Sequence, residues 1–566
     1  MNYIELSKKQ ANEMIINAYN SACKADLLPK AYLPKFVVEI PKDTTNGDYA
    51  TSFAMQCAKI FGKKPQDIAN IIVENLSFEN TFFKSASIAG PGFINFCLNE
   101  DIYAKIVKTA YEMKDNYGKS DYFAGQKIMI EFVSANPTGP MHMGNARGGV
   151  LGDCLAETFS WAGADVTREF LINDAGNQVN KFASSLEGRF IQIIKGDDAV
   201  DFLEDWYQGE DIKDLAQTFI DKNGTDLINA DEQTRRDALV EFGLKNNISK
   251  MKTDLERYKI NYDVWFHEST LHEKGLVKAT VDKLLANKNA YKDDEGTIFI
   301  KSTELFGSDK DDVLMRSNGI YTYFAADIAY HVDKIITRSF DKVINIWGAD
   351  HHGHVKRLQR ALDAVDANGS EKLEVILMQL VRLMQDGEVV RMSKRSGKAI
   401  TLTSLLDEIS VDAARFFFNS RASDTHLEFD LDIAVKEDSE NPVYYVGYAH
   451  ARIVSILKNL KAEGIELTDI NKADLALLVE PEEINLIKLI ANFPEEIRMS
   501  ARDRDPSKIG KYVVTLAGAF HKFYNAVRIR DAKEDVRLAR IALCEDVKIV
   551  IANCCKILGI TAPDQM

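Results

Sequence analysis

No stretch of this 566-residue chain stays apolar long enough to span a bilayer. Its first residues, Met1 to Lys24, carry charges throughout and lack the apolar core of a signal peptide. The expectation is a cytoplasmic protein with no membrane partner. Cysteine is sparse and scattered, at Cys23, Cys57, Cys97, Cys154, Cys544, Cys554 and Cys555, with no CxxC pair. That spacing excludes the usual structural zinc frameworks and predicts reduced, mostly buried thiols and no metal site. There is no tandem repeat and no low-complexity linker. Nor is there an excess of positive charge: 70 Lys+Arg face 85 Asp+Glu, a net charge of −15. A protein that coats nucleic acid without specificity is therefore disfavoured.

What is present is ordinary globular composition, 46% apolar and 27% charged, at a length that predicts two to four domains. The charge is uneven. From Asn441 to Met566 there are 18 Lys+Arg against 17 Asp+Glu, so this region is near neutral and the rest carries the acidity. A polyanion would sit most easily on that C-terminal region. Residues 1 to about 115 read as a mixed α/β unit. A strand is predicted over Lys35–Ile40, then a turn at Asn46–Ala50 suited to cap a helix, then a strand over Phe93–Phe96 after the Ala89–Gly92 turn. Residues 180 to 310 are acidic and helix-rich and read as an insertion. From about 440 the apolar residues recur at helical spacing to the end, as in Ile453, Ile456, Leu457 and Leu460.

The chemistry begins between these flanks. Lys127–Val133 is a short apolar run of the kind buried in a parallel sheet. A loop, Ser134–Pro140, leads to a helical pattern with Val150, Leu151, Cys154, Leu155, Thr158 and Phe159 on one face. Gly163 stands just past its end, and Val166–Ile172 reads as the next strand. This strand–helix–strand unit starts a parallel nucleotide-binding sheet. Its junction reads Pro140-Met-His-Met-Gly-Asn-Ala-Arg147. Gly144 lets a phosphate approach the backbone, and the helix start offers unpaired N–H groups and partial positive charge. His142 can donate a hydrogen bond to an α-phosphate as charge builds there. A lone motif of this kind also fits a structural loop, and its position gives it weight.

A second motif follows strand signals at Val343–Trp347 and Val375–Leu383. It reads Met384-Gln-Asp-Gly-Glu-Val-Val-Arg-Met-Ser-Lys-Arg-Ser-Gly397. Asp386-Gly387 is a strong signal for a two-residue hairpin. The basic loop beyond it could be a solvated turn, or it could bring the ammonium of Lys394 to the β- and γ-phosphates. Between the motifs, Tyr323 and Asp327 stand four apart and share a helix face. From spacing alone, core packing and a helix salt bridge account for that pair. Trp347-Gly-Ala-Asp-His-His-Gly-His354 follows a strand, so Gly348 opens the end of the sheet where such folds bind ligands. Asp350 could accept from ribose hydroxyls, and the three histidines also admit a metal reading.

Taken together, Glu131-Phe-Val-Ser-Ala-Asn-Pro-Thr-Gly-Pro-Met-His-Met-Gly-Asn-Ala-Arg-Gly148 resembles the signature block of class I arginyl-tRNA synthetases. The loop Arg391-Met-Ser-Lys-Arg395 resembles their Lys-Met-Ser-Lys-Ser motif, with Arg391 replacing the first lysine. Asn145 stands where the His-Ile-Gly-His motif carries its second histidine. The resemblance implies a Rossmann-like α/β catalytic domain over 116–435. It further implies an N-terminal α+β domain over 1–115 that contacts the tRNA elbow, and an all-α anticodon-binding domain over 436–566. It implies arginine–tRNA ligation, with ATP accompanied by Mg²⁺, L-arginine and tRNA(Arg) as partners, tRNA bound before the adenylate forms, and a monomer. His142, Asn145 and Lys394 would be catalytic. Pro140, Gly144, Gly348, Asp350, His352, Met392 and Ser393 would join them around ATP. Glu131, Ser134, Asn136, Tyr323, Asp327 and His351 would hold arginine. Tyr444, Tyr445, Tyr448, Arg452, Arg528 and Arg530 would face tRNA, the tyrosines by stacking on unpaired bases and the arginines on phosphate. The rival readings are a class I synthetase for another amino acid, a small-molecule nucleotidyltransferase, and an RNA-binding relative without chemistry.

Overall fold

The computed structural model describes residues 2–390 and 400–566. The chain opens with helix Tyr3–Lys24, whose first turn is capped by the Asn2 side chain accepting the Glu5 N–H. A four-stranded antiparallel sheet follows, made of β1 (Val38–Glu39), β2 (Tyr49–Thr51), β3 (Phe83–Ala89) and β4 (Phe93–Leu98), in the order β1-β2-β4-β3. The strand expected over 35–40 is only two residues long. Val37 and Ile40 point to solvent, so no packing surface extends it. The turn at 46–50 leads into β2 before the helix Phe53–Phe61, rather than straight into that helix.

The central sheet is parallel throughout. It contains β5 (Lys127–Glu131), β6 (Asp165–Ile172) and β7 (Val264–His267). After a small antiparallel sheet of β8 (Ala290–Lys292), β9 (Ile298–Ile300) and β10 (Asp312–Met315), it gains β11 (Lys342–Gly348) and β12 (Leu373–Met378). The order is β12-β11-β5-β6-β7. Chain direction across the sheet therefore reverses between β5 and β11, and a crevice opens at their C-terminal ends. Helix Met143–Trp161 crosses from β5 to β6 and packs closely on the chain. A Cβ on Gly152 would lie 2.2 Å from the Phe132 ring.

The segment read as one insertion from 180 to 310 is divided. Helices Asn177–Lys195, Glu210–Asn223 and Glu232–Arg257 share a separate core of Phe182, Leu186, Phe190, Phe219 and Leu239. The chain then returns to the main sheet as β7. Four residues give too short an apolar pattern to stand out in an acidic surround.

The strand expected over Val375–Leu383 also breaks, at Gln379–Leu380. There the chain leaves the main sheet for a smaller one of β13 (Val381–Gln385), β14 (Glu388–Val390) and β15 (Leu427–Asp430). The β13–β14 hairpin turns on Asp386 and Gly387, both at positive φ, as that dipeptide predicts. Long helices Pro442–Ala462, Pro481–Asp503, Ser507–Ala526 and Glu534–Leu558 complete the chain. Among the described residues no helix is long and apolar enough to cross a membrane.

Candidate active site

A cavity of about 840 Å³ occupies the crevice between β5 and β11. One end is built by the first motif. His142 is the N-cap of helix Met143–Trp161, and its ring Nδ1 accepts the Gly144 N–H at 3.2 Å. Asn145 returns the bond: its Oδ1 accepts the His142 N–H at 3.0 Å, completing a capping box. With Nδ1 used as an acceptor, the ring proton resides on Nε2, which is left free to donate. Partial burial lowers the pKa of His142, which favours the neutral ring. Asn145 keeps its amide N–H groups for a ligand while its oxygen holds the helix start.

The other end is carboxylate-rich. Asp327 lies on helix Tyr323–Val332, one turn below Tyr323. Its Oδ2 accepts from His354 Nε2 at 2.6 Å, and its Oδ1 lies 3.1 Å from His331 Nδ1. Burial alone would raise its pKa. The two histidines overcome that and hold it well below the ordinary carboxylate range. Glu268, just past β7, is 8% exposed and lines the same cavity. Burial, then the charges of Asp174 and Asp327, pushes its pKa up to about 7. The Tyr323 hydroxyl accepts the Asn177 N–H at 2.6 Å, and Trp347 stacks on His354.

Between the two ends the chain makes a strained turn after β5. Val133 and Ser134 both have positive φ, 67° and 40°, a conformation costly for non-glycine residues and concentrated at functional sites. The turn brings Ser134 Oγ to Glu131 Oε1 at 2.9 Å, while the same hydroxyl accepts the Leu171 N–H. Glu131 Oε2 meets Lys334 Nζ at 2.5 Å, and Lys334 is wholly buried in a π-helical turn, Asp333–Thr337. Glu169, Tyr330, Asp333 and Arg338 extend this network. Burial alone would raise the Glu169 pKa, but Arg338 and Lys334 hold it below its ordinary value.

The cavity thus gathers Glu131, Ser134, Asn136, His142, Gly144, Asn145, Tyr323, Asp327, Gly348, Asp350 and His351 from four separate stretches of sequence. Pro140 and His352 lie outside its wall, and His354 lines it instead. On the exposed first turn after β11, every third residue faces the sheet end, so His351 and His354 share a side that His352 does not. Met392, Ser393 and Lys394 fall outside the described residues, as do Arg391 and Arg395. Their flanks are adjacent to His142: Thr401 bridges His142, the Leu402 N–H donates to Met141, and Val390 and Ile400 line a recess beside His142.

Three family models match the chain in order. They are described as arginyl tRNA synthetase N terminal domain, over residues 9–98, tRNA synthetases class I (R), catalytic domain, over 107–441, and DALR anticodon binding domain, over 446–566. The chain belongs to the arginyl-tRNA synthetase family. It is 49% identical to the arginine–tRNA ligase of Acetivibrio thermocellus over 565 residues, with 100% of both chains covered. It is 48% identical to that of Ruminiclostridium cellulolyticum, with 99% of each covered. Among solved structures, Thermus thermophilus arginyl-tRNA synthetase shares the fold with a TM-score of 0.74 at 20% identity, covering 97% of this chain and 99% of that one.

His354 stands out in the sequence only as one of three histidines after β11, without an assigned role; Glu268, Lys334 and Arg338 do not stand out in the sequence of this family member. Each of these three is an isolated charge in an unremarkable context, and only the fold brings them together. The six residues expected to face tRNA divide into two places. Tyr444 and Tyr448 stack with centroids 6.3 Å apart, and Arg452 lies over Tyr448 at 4.7 Å. Tyr445 packs on His521, and Tyr524 adds an exposed ring beside Arg452. Arg530 instead pairs with Glu463 beyond the far end of the Tyr444 helix, and exposed Arg528 is near Asp531.

Proposed function

We infer that this enzyme joins L-arginine to tRNA(Arg) at the expense of ATP. The observation that carries the reading is the polarity of one cavity: neutral N–H donors at a helix start at one end, the ionised Asp327 beside a second carboxylate, Glu268, at the other. A guanidinium is planar, always charged and rich in donors. Asp327 is held ionised and aimed by two histidines, so it offers a fixed acceptor. Glu268 supplies the second carboxylate. Ionising it beside Asp327 costs energy in the empty site, and an arriving guanidinium removes that cost. The Glu131 network holds three carboxylates (Glu131, Glu169, Asp333) against two cations (Lys334, Arg338), leaving one net negative charge. That charge suits the α-ammonium group and turns the carboxylate of arginine toward His142.

ATP then lies across the sheet end, with ribose toward Gly348 and Asp350 and the α-phosphate at the Met143 helix start. The arginine carboxylate oxygen attacks the α-phosphorus, and the bond to pyrophosphate breaks. His142 Nε2–H and the Asn145 amide stabilise charge on the phosphate, so the work is positioning and electrostatic. Lys394 follows the departing phosphates. Magnesium would accompany ATP and offset the charge of its phosphates. The terminal adenosine of tRNA, aligned by the aromatic face around Tyr448 and by the N-terminal domain, then takes the arginyl group through a hydroxyl, releasing AMP. A monomer acting in the cytoplasm completes this reading.

Calorimetric titration tests the carboxylate end. Arginine should bind and citrulline, its neutral isostere, should not. Below pH 7 arginine binding should release protons as Glu268 ionises. Equal affinity for citrulline would overturn the assignment.

A further inference from the structure

Arg147 lies one turn and a half into the Met143 helix and is 1% exposed. Taking a guanidinium out of water is costly, and the usual compensation is a carboxylate. Among the described residues Arg147 has no ion pair. Its fork donates instead to three backbone carbonyls: Nη1 to Gln379 O at 2.7 Å, Nη2 to Ala422 O and to Thr425 O at 2.9 Å each. Burial lowers its pKa to about 10, with Asp424 opposing the shift. A buried cation spent on carbonyls alone indicates that the placement of those carbonyls matters.

The three acceptors mark one junction. Gln379 sits where the chain steps from β12 of the main sheet to β13 of the small one, and the Gln379 N–H donates to Ser423 O. Residues 422–425 lead into β15, which pairs with β13 in parallel from Val381↔Leu427 onward. Gln379, Leu380 and Val381 also line the cavity. Arg147 therefore binds the segments that lead into both β13 and β15, by which the small sheet joins the body, and it does so from the helix turn that begins with His142. That small sheet carries β14, which ends at Val390 directly before the second motif.

We propose that Arg147 is a positioning residue for the nucleotide half of the reaction: its fork fixes the small sheet, and with it the Gln379–Val381 wall, relative to the His142 helix start. The carboxylate end of the cavity is built by other elements and does not depend on it. Lysine cannot substitute fully, because one ammonium on a flexible stem cannot span three carbonyls in fixed directions. The inference rests on the arginine-activating reading above.

The test uses the full chain and its variants Arg147→Lys and Arg147→Met in arginine-dependent pyrophosphate exchange, varying ATP and arginine separately. Displacement of the reacting groups by about 1 Å costs on the order of 100-fold in rate. Arg147→Met should accordingly lose about 10- to 100-fold in kcat and raise the KM for ATP, with the KM for arginine within about twofold. Arg147→Lys should recover part of the loss, and amide hydrogen exchange should quicken at residues 378–385 and 422–427 specifically. Unchanged kinetics in both variants would overturn the proposal. So would ATP and arginine constants that move together, the signature of general loosening. If Arg147→Met yields no folded chain, the lysine variant decides by the same split. Absence of arginine-dependent exchange in the unmodified chain would instead refute the underlying functional reading.

Discussion

At the scale of single residues, the account turns on carboxylates whose charge states differ within one cavity. Asp327 is ionised at any working pH. Its replacement, Asp327→Ala, removes a desolvated partner of the guanidinium, a change worth about 2–5 kcal/mol. The KM for arginine should rise by at least about 30-fold while the thermal midpoint stays close to that of the parent. An unchanged KM would refute the pocket assignment. Glu268 gives a pH prediction with a definite sign. Its raised pKa of about 7 means that it holds a proton below that pH in the empty site. That proton competes with the guanidinium, so the KM for arginine should climb as pH falls below 7, by up to about tenfold per unit. Glu268→Gln should flatten that limb of the profile. In the sequence the family resemblance, and not the Tyr323/Asp327 spacing, marks Asp327 as a candidate, and the fold brings it to the cavity wall. Glu268 is not marked there, because its role comes from burial and from a neighbour 59 positions away.

At the scale of elements, local rules carried the sequence reading furthest. The β5–loop–helix–β6 unit and the Asp386–Gly387 hairpin formed where periodicity and turn chemistry place them. Both are decided by residues close in sequence. Elements decided by distant packing were missed or misjudged: β7 within the supposed insertion, the break at Gln379–Leu380, and the shortened β1. The close approach of the Met143 helix to β5 yields a stability prediction. Gly152→Val places a side chain against the Phe132 ring, where even a Cβ lies at 2.2 Å. Overpacking of this kind costs about 1–3 kcal/mol. Chemical denaturation should show a lower midpoint for this variant. A midpoint matching the parent would mean that the helix can shift without cost, and would weaken the claim that the helix start is rigidly placed.

At the scale of the whole molecule, Arg415 joins parts that lie far apart in the chain. It is fully buried and donates to Leu558 O at the end of the last helix, to Tyr258 O and Lys259 O at the end of the Glu232 helix, and to Asp153 on the Met143 helix. The final residues continue the connection: Thr561 N–H meets Asp412, and Pro563 O meets His450 on the helix that bears Tyr448. Arg415→Ala would leave Asp153 without this partner and several carbonyls unbonded, at a cost of about 3–5 kcal/mol. Thermal unfolding should shift to markedly lower temperature, and Arg415→Lys should restore only part of it. A chain of charges this dispersed is invisible in sequence, whereas the order of two nucleotide motifs and a helical end is not. The central claim is that this whole assembly activates arginine and no other amino acid. Pyrophosphate exchange with each amino acid in turn, with and without tRNA, tests it most directly. The account predicts ATP–pyrophosphate exchange with arginine alone, dependent on added tRNA(Arg). Exchange supported by another amino acid, or none under any condition, would contradict it.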